Sequence, residues 1–96
     1  FYQADFASLD EVRRLAADIR RDYPRLDLLV NNAGVIVPRR QLSTDGYELQ
    51  FAVNYLAGFL LTHQVLPLLE QGTSARVINV SSIAASPLDF SDVMLE

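Results

Sequence analysis

The apolar positions fall into two kinds of pattern. Leu9, Val12, Leu15, Ala16 and Ile19 recur at helical spacing, and Arg13, Arg14, Asp18, Arg20 and Arg21 fill the opposite face. Ahead of them, Ser8-Leu9-Asp10-Glu11 reads as a capping box. The Ser8 hydroxyl can accept from the Glu11 amide while the Glu11 carboxylate reaches back to the Ser8 amide. Pro24 stops that helix or the fray after it. Leu26 to Val30 and Arg76 to Val80 are short apolar runs without alternation, the pattern of strands buried on both faces. Phe1 to Asp5 reads as the end of another strand.

A second helix is predicted from Asp45, which with Glu48 makes a cap, to about Leu66. A Pro67–Gln71 tail follows it, and Gly72 is the stop. Its apolar residues form more than one stripe. Leu49, Val53, Leu56 and Leu60 mark one face, while Phe51, Tyr55 and Phe59 mark others. Gly58 allows a close neighbour. Such a helix is covered on more than one side, by a sheet on one and another helix or subunit on the other. Residues 35–43 and 83–96 read as loops.

The order strand, helix, strand, helix, strand argues for an α/β fold with a parallel sheet and right-handed crossovers. Three strands cannot shield a sheet buried on both faces. The expectation is therefore an incomplete Rossmann-like sheet with flanking helices, the middle portion of a doubly wound domain. The chain starts at Phe1 rather than Met, and Asp5 and Asp10 interrupt its first apolar stretch, so no signal peptide is expected there. The most apolar run, Leu49 to Leu69, carries Gln50, Asn54, His63 and Gln64. A membrane span needs about 20 predominantly apolar residues. The run reads instead as a helix buried in protein.

Composition removes several classes of function. Twelve acidic against eight basic residues give a net charge of -4, and such a chain is not expected to hold a nucleic acid by phosphate neutralisation. There is no Cys and one His, which excludes disulfide scaffolds and thiolate or His-rich metal sites. His63 reads as a packing or surface residue. All eight basic residues are Arg.

In open α/β sheets, ligands bind beyond the carboxyl ends of the strands. Three such ends are visible: Asp5, Asn31-Asn32-Ala33-Gly34, and Ser81-Ser82. In a parallel sheet they open on one edge. These residues resemble the short-chain dehydrogenase/reductase family. Asn31-Asn32-Ala33-Gly34 after Leu-Asp-Leu-Leu-Val looks like its Asn-Asn-Ala-Gly signature. Asn54 in Phe51-Ala52-Val53-Asn54-Tyr55-Leu56 is similar to its helix Asn. Arg76 to Ser82 resembles the strand ending in its catalytic Ser, and Asp5 resembles the acid bordering the adenine pocket. The Pro-Arg-Arg loop, Tyr47 to Phe51 and Leu88-Asp89-Phe90 resemble the retinol dehydrogenase-like branch. The Gly-rich phosphate loop and the Tyr-x-x-x-Lys are absent, the latter because the chain has no Lys.

The resemblance implies a partial NAD(P)-binding Rossmann domain over residues 1–96. It implies an oxidoreductase that moves hydride between NADP or NAD and a small carbonyl or alcohol substrate. The fragment alone is expected to be inactive. Asp5 would accept from the adenine amino group, with Phe6 backbone on the same pocket wall. Gly34 would let a ring or ribose approach, and Asn31, Asn32 and Ala33 would border the cofactor. Asn54 would hold a helix irregularity and a water of the proton relay. Side chains alternate along a strand, so Ser81 and Ser82 do not both face substrate. The resemblance selects Ser82 as catalytic. The intact protein is expected to be a cytoplasmic homo-oligomer, with a membrane-peripheral position left open. The alternative is a truncated, non-catalytic binding or interaction module.

Overall fold

Ser8 opens the first helix, α1 (Leu9–Asp22), by accepting from the Glu11 amide at 3.4 Å. The structure, a computed structural model, describes residues 1–80. The reciprocal half of the expected capping box does not form. Glu11 turns past Ser8 to accept from the Asp5 amide at 3.3 Å, while the Ser8 amide donates to the Asp5 carbonyl at 3.1 Å. The segment before the helix folds back within reach of the Glu11 carboxylate, so the carboxylate braces that segment. Val12, Leu15 and Ala16 form the buried stripe of α1. Its wet face carries paired charges, Arg13 on Asp10 and Arg14 on Glu11 and Asp18.

The expected strand over Phe1–Asp5 is not formed, although its side chains alternate as a strand's do. Tyr2, Ala4 and Phe6 pack against the core while Gln3 and Asp5 are exposed. A strand is defined by its ladder, and no ladder partner for this segment exists among the described residues. Side-chain bonds hold it instead: Arg14 donates to the Gln3 carbonyl at 2.7 Å, and Tyr2 donates its hydroxyl to Asp22 at 2.6 Å.

Two strands do pair. β1 (Leu28–Asn31) lies parallel to β2 (Arg76–Asn79), with Leu28 opposite Arg76 and Asn31 opposite Asn79. Between them runs α2 (Leu49–Glu70), which starts four residues after the expected Asp45 and ends four residues beyond the expected Leu66. Its cap is Glu48, whose two carboxylate oxygens accept from the Gln50 and Phe51 amides at 3.0 and 2.9 Å. Asp45, the expected cap, serves the other helix, accepting from the Leu9 amide at 2.8 Å. Pro67 lies inside α2 rather than after it. Proline there removes one ladder bond without ending the helix.

One turn of α2, Ala52–Leu56, is π-helical, and the Ala57 amide reaches back five residues to the Ala52 carbonyl. The extra residue moves the inward stripe. The expected face ran Leu49, Val53, Leu56, Leu60; the buried residues are Ala52, Val53, Ala57, Leu61, Val65, Leu68 and Leu69. Ala57, Leu61, Val65, Leu68 and Leu69 pack on Val12, Leu15 and Ala16, and Leu29 of β1 joins them. Both helices thus pack on one face of β1, while all four residues of β2 are exposed. The other face is bare, and the expectation of strands buried on both sides does not hold for these residues. Leu28, Val30 and Ile78 are about half exposed, at 53%, 47% and 46%. Two strands and two helices make two layers, and a doubly buried sheet needs three.

At its far end α2 is tied to β1: Leu26 donates to the Leu68 carbonyl at 3.0 Å, and Asp27 accepts from the Thr73 amide at 2.9 Å. Gly72 sits in this junction, and a Cβ built on it would run into the Leu26 carbonyl oxygen. Gly72→Ala is therefore expected to lower stability by roughly 1–3 kcal/mol, the usual cost of overpacking, read from the midpoint of chemical denaturation.

The Asp22 hydrogen bond pushes the Tyr2 phenol up to about 12. Arg21 first, and Tyr2 second, hold Asp22 down at about 2. A raised folded value makes the Tyr2 contribution full below its ordinary 10.0 and lost as pH rises through about 12. A depressed one makes the Asp22 contribution full above its ordinary 3.8 and lost as pH falls through about 2. Spectrophotometric titration is expected to show one late phenol near 12, and Tyr2→Phe is expected to abolish it.

Candidate functional site

β1 turns one face toward α2, and the two-residue period of a strand decides which Asn follows it. Leu29 packs on the helices, so Asn31 points the same way. Its amide nitrogen donates to Thr62 Oγ1 on α2 at 3.0 Å and to Asn79 Oδ1 at the end of β2 at 2.8 Å. Thr62 in turn donates to the Gly58 carbonyl at 2.8 Å. Gly58 makes room for this. A Cβ built there would lie 3.3 Å from Asn31 Cγ and Oδ1, so the close neighbour anticipated at Gly58 is the Asn31 side chain.

Asn54 sits in the π-helical turn and reads the backbone of the loop leaving β1. Its Oδ1 accepts from the Val35 amide at 2.7 Å, and its Nδ2 donates to the Val35 carbonyl at 3.0 Å. Both edges of one amide are thus satisfied by both polar groups of one residue. This fixes the loop just past Gly34, where a built Cβ would lie 3.5 Å from Asn54 Oδ1. Asn31, Asn54 and Asn79 border a cleft of about 470 Å³ that continues along Tyr55, Phe59 and His63 of α2.

The structure therefore brings together Asn31, Gly34 and Asn54 of the expected site. Asn32 and Ala33 are exposed and do not line the cleft. Asp5 and Phe6 do not line it either. Asp5 makes a local turn, accepting from the Ala7 amide at 2.9 Å, and Phe6 packs against the core. Ser81 and Ser82 lie outside the described residues. Thr62 and Asn79 were not anticipated. The signal for Asn79 was its place opposite Asn31 in the register, which becomes visible only once the strands pair.

The sequence profile of the short chain dehydrogenases matches residues 1–90. The chain belongs to the short-chain dehydrogenase family. Among curated relatives it is 44% identical to human retinol dehydrogenase 13 over 91 residues, covering 93% of this chain and 28% of that protein. It is 44% identical to mouse retinol dehydrogenase 14 over 80 residues, 83% of this chain and 24% of that one. The chain thus spans about a quarter of the length of these relatives. Among solved structures, an uncharacterized protein from Mycobacterium Paratuberculosis superposes with a TM-score of 0.80 at 34% identity, over 97% of this chain and 32% of that one. The NADP active-site complex of Pseudomonas aeruginosa RhlG gives 0.66 at 32% identity, over 95% and 39%. An NADH-dependent reductase, A1-R′, complexed with NAD gives 0.68 at 27%, over 88% and 38%.

These likenesses identify the fold of the short-chain dehydrogenase segment as part of a Rossmann-type α/β domain. By length and composition alone α2 would pass for a membrane span. Its inward stripe packs on α1 and β1. Among the described residues no group of three or more His, Cys, Asp or Glu stands together as a metal site.

The Asn54 clamp makes its own test. Asn54→Ala removes both bonds to Val35, and at roughly 0.5–1.5 kcal/mol net for each, exchange of the Val35 amide should quicken about tenfold or more. Amide hydrogen exchange reads it, with the α1 amides as the unchanged reference.

Proposed function

We propose that this chain is the central part of an NAD(P)(H)-dependent oxidoreductase acting on a carbonyl or alcohol substrate. One observation carries the reading. In a short-chain dehydrogenase segment, the carboxyl ends of two parallel strands and the irregular turn of α2 converge through Asn31, Asn79 and Asn54. Ligands of open parallel sheets bind at that edge.

The residues present fit a nicotinamide dinucleotide. The turn after β1 has Gly34, which offers no Cβ where a flat ring or ribose must come close. Asp5, which is exposed, is the acceptor for the adenine amino group in this reading, beside the Phe6 backbone. Asn31 to Gly34 border the cofactor between these points. When bound, the nicotinamide supplies or accepts the hydride. The related structures holding NADP and NAD support either form.

The chain's own residues then position and polarise. Ser82 donates a hydrogen bond to the reacting oxygen and stabilises the charge that develops there. Asn54, itself held by Val35, supports the proton relay through a water. The general acid/base Tyr and the Lys that lowers its pKa belong to a part of the domain outside these residues; a cation beside a phenol favours the phenolate. The relatives named retinol dehydrogenase make a long apolar aldehyde or alcohol the first substrate class to try. Phe51, Tyr55 and Phe59 stack along α2, with Tyr55 54% and Phe59 62% exposed. That ladder supports contact with a second copy in the intact protein, since exposed apolar patches of this kind mark interfaces.

The test uses the intact protein with NADPH or NADH and all-trans-retinal, followed by a panel of smaller carbonyls. Carbonyl-dependent oxidation of the reduced cofactor is expected, and its absence with both cofactors overturns the reading. Ser82→Ala should lower kcat by on the order of 10²–10³ with cofactor affinity retained, the cost of one oxyanion donor. Ser81→Ala should be milder.

A further inference from the structure

We infer that Thr62 is a positioning residue, fixing through the Asn31 side chain the carboxyl end of β2, from which the chain runs into Ser81 and Ser82. The argument starts from hydrogen-bond polarity. A helical Thr commonly returns its hydroxyl proton to the carbonyl four residues back. Here it goes to Gly58 at 2.8 Å. With that proton committed, Oγ1 can only accept, so Asn31 must present its NH2 rather than its carbonyl oxygen, at 3.0 Å. The second proton of that NH2 then points at Asn79, which must answer with its Oδ1, at 2.8 Å. One hydroxyl thus sets the orientation of two amides that a 180° flip would otherwise leave interchangeable.

The helix is shaped for this contact. Gly58 and Thr62 stand one turn apart. The first gives the Asn31 side chain space that a Cβ would crowd at 3.3 Å, and the second gives it an acceptor. Asn31 also holds β2 by its main chain, its carbonyl accepting from the Val80 amide at 3.0 Å. Holding the Asn31 side chain therefore steadies both the side chain of Asn79 and the backbone of Val80, the last residue before the serines. Asn31, Thr62 and Asn79 all border the cleft. The effect on turnover rests on the function proposed above, whereas the effect on β2 does not.

Thr62→Val keeps the shape of the side chain and removes the hydroxyl; Thr62→Ser keeps the hydroxyl. In the intact protein, Thr62→Val should quicken Val80 amide exchange about tenfold and lower kcat about tenfold, with cofactor Kd changed less than about twofold. Thr62→Ser should restore both. Unchanged Val80 protection in Thr62→Val, equal damage in both variants, or faster exchange with kcat intact would each overturn the inference. If the wild-type protein turns over no carbonyl, the proposed function fails, and faster Val80 exchange in Thr62→Val alone, rescued by Ser, still supports the hold on β2. Should Thr62→Val not fold, Asn79 gives the same contrast from the other end. Asn79→Asp keeps the accepting oxygen and should keep Val80 protected, while Asn79→Leu should not. Equal exchange in those two would overturn the inference.

Discussion

The fold turns on one surplus residue in one turn of α2. Between Ala52 and Leu56 the helix reaches back five residues instead of four. The sequence pattern alone carries the stripe from Val53 through Leu56 and Leu60. With the π-helical turn, the inward positions become Ala57, Leu61 and Val65, two of them small, and these let α1 approach closely. Leu56 is left part-exposed, while Leu60 packs partly buried against the same core. A π-helical turn costs backbone hydrogen-bond geometry, and such turns recur where function requires them. Here the turn holds Asn54, which recovers hydrogen bonding by clamping Val35. One irregularity thus sets both the packing of the helix pair and the position of the loop after β1.

The polar end of the sheet follows from the same helix. Side chains one turn apart on α2, Gly58 and Thr62, meet β1 at Asn31, and Asn31 meets β2 at Asn79. An Asn facing a helix is costly unless both of its donors are used, and both are. The junction therefore orients as well as binds: strands that end in paired amides end in one register. An apolar pair at these positions would pack as well but would leave the end of β2 without a fixed polarity.

Much of this was legible from residue types. The helical periodicity of α1, the two apolar runs, the parallel order and the peculiarity of an Asn within an apolar helix all read directly. The family motif over Asn31–Gly34 read too. Other features depend on distances between segments far apart in sequence. Asp45 and Glu48 both look like caps for the helix that follows them. Only the docking of the loop on α1, where Thr44 donates to the Ala7 carbonyl at 3.2 Å, assigns Asp45 to the Leu9 amide and leaves α2 to Glu48. Glu11 likewise had two amides in reach, and the path of the preceding segment chose Asp5. Phe1–Asp5 alternates correctly and still makes no strand, because alternation describes faces while a strand requires a neighbour. The π turn left no trace in the periodicity, and only the resemblance, through Asn54, pointed to an irregularity there.

The exchange of caps has a consequence for how the two ends of the site are joined. Glu48 is 1% exposed, a buried carboxylate answered by two backbone amides at the start of α2. A carboxylate at a helix N-terminus is stabilised by the unpaired amides and by the helix dipole. Three residues earlier, Asp45 does the same for α1. One short loop therefore seats the N-termini of both helices at once, and it does so with charges that neither helix supplies itself. Asp5 and Ser8 lie at the start of α1, and Asn54 lies a turn and a half into α2. The separation between the segment proposed to meet adenine and the residue proposed to serve the reacting centre is thus set by this loop together with the packing of α1 on α2. Substitution in the 43–48 loop would move one end of the site against the other while leaving every side chain of the cleft unchanged in kind.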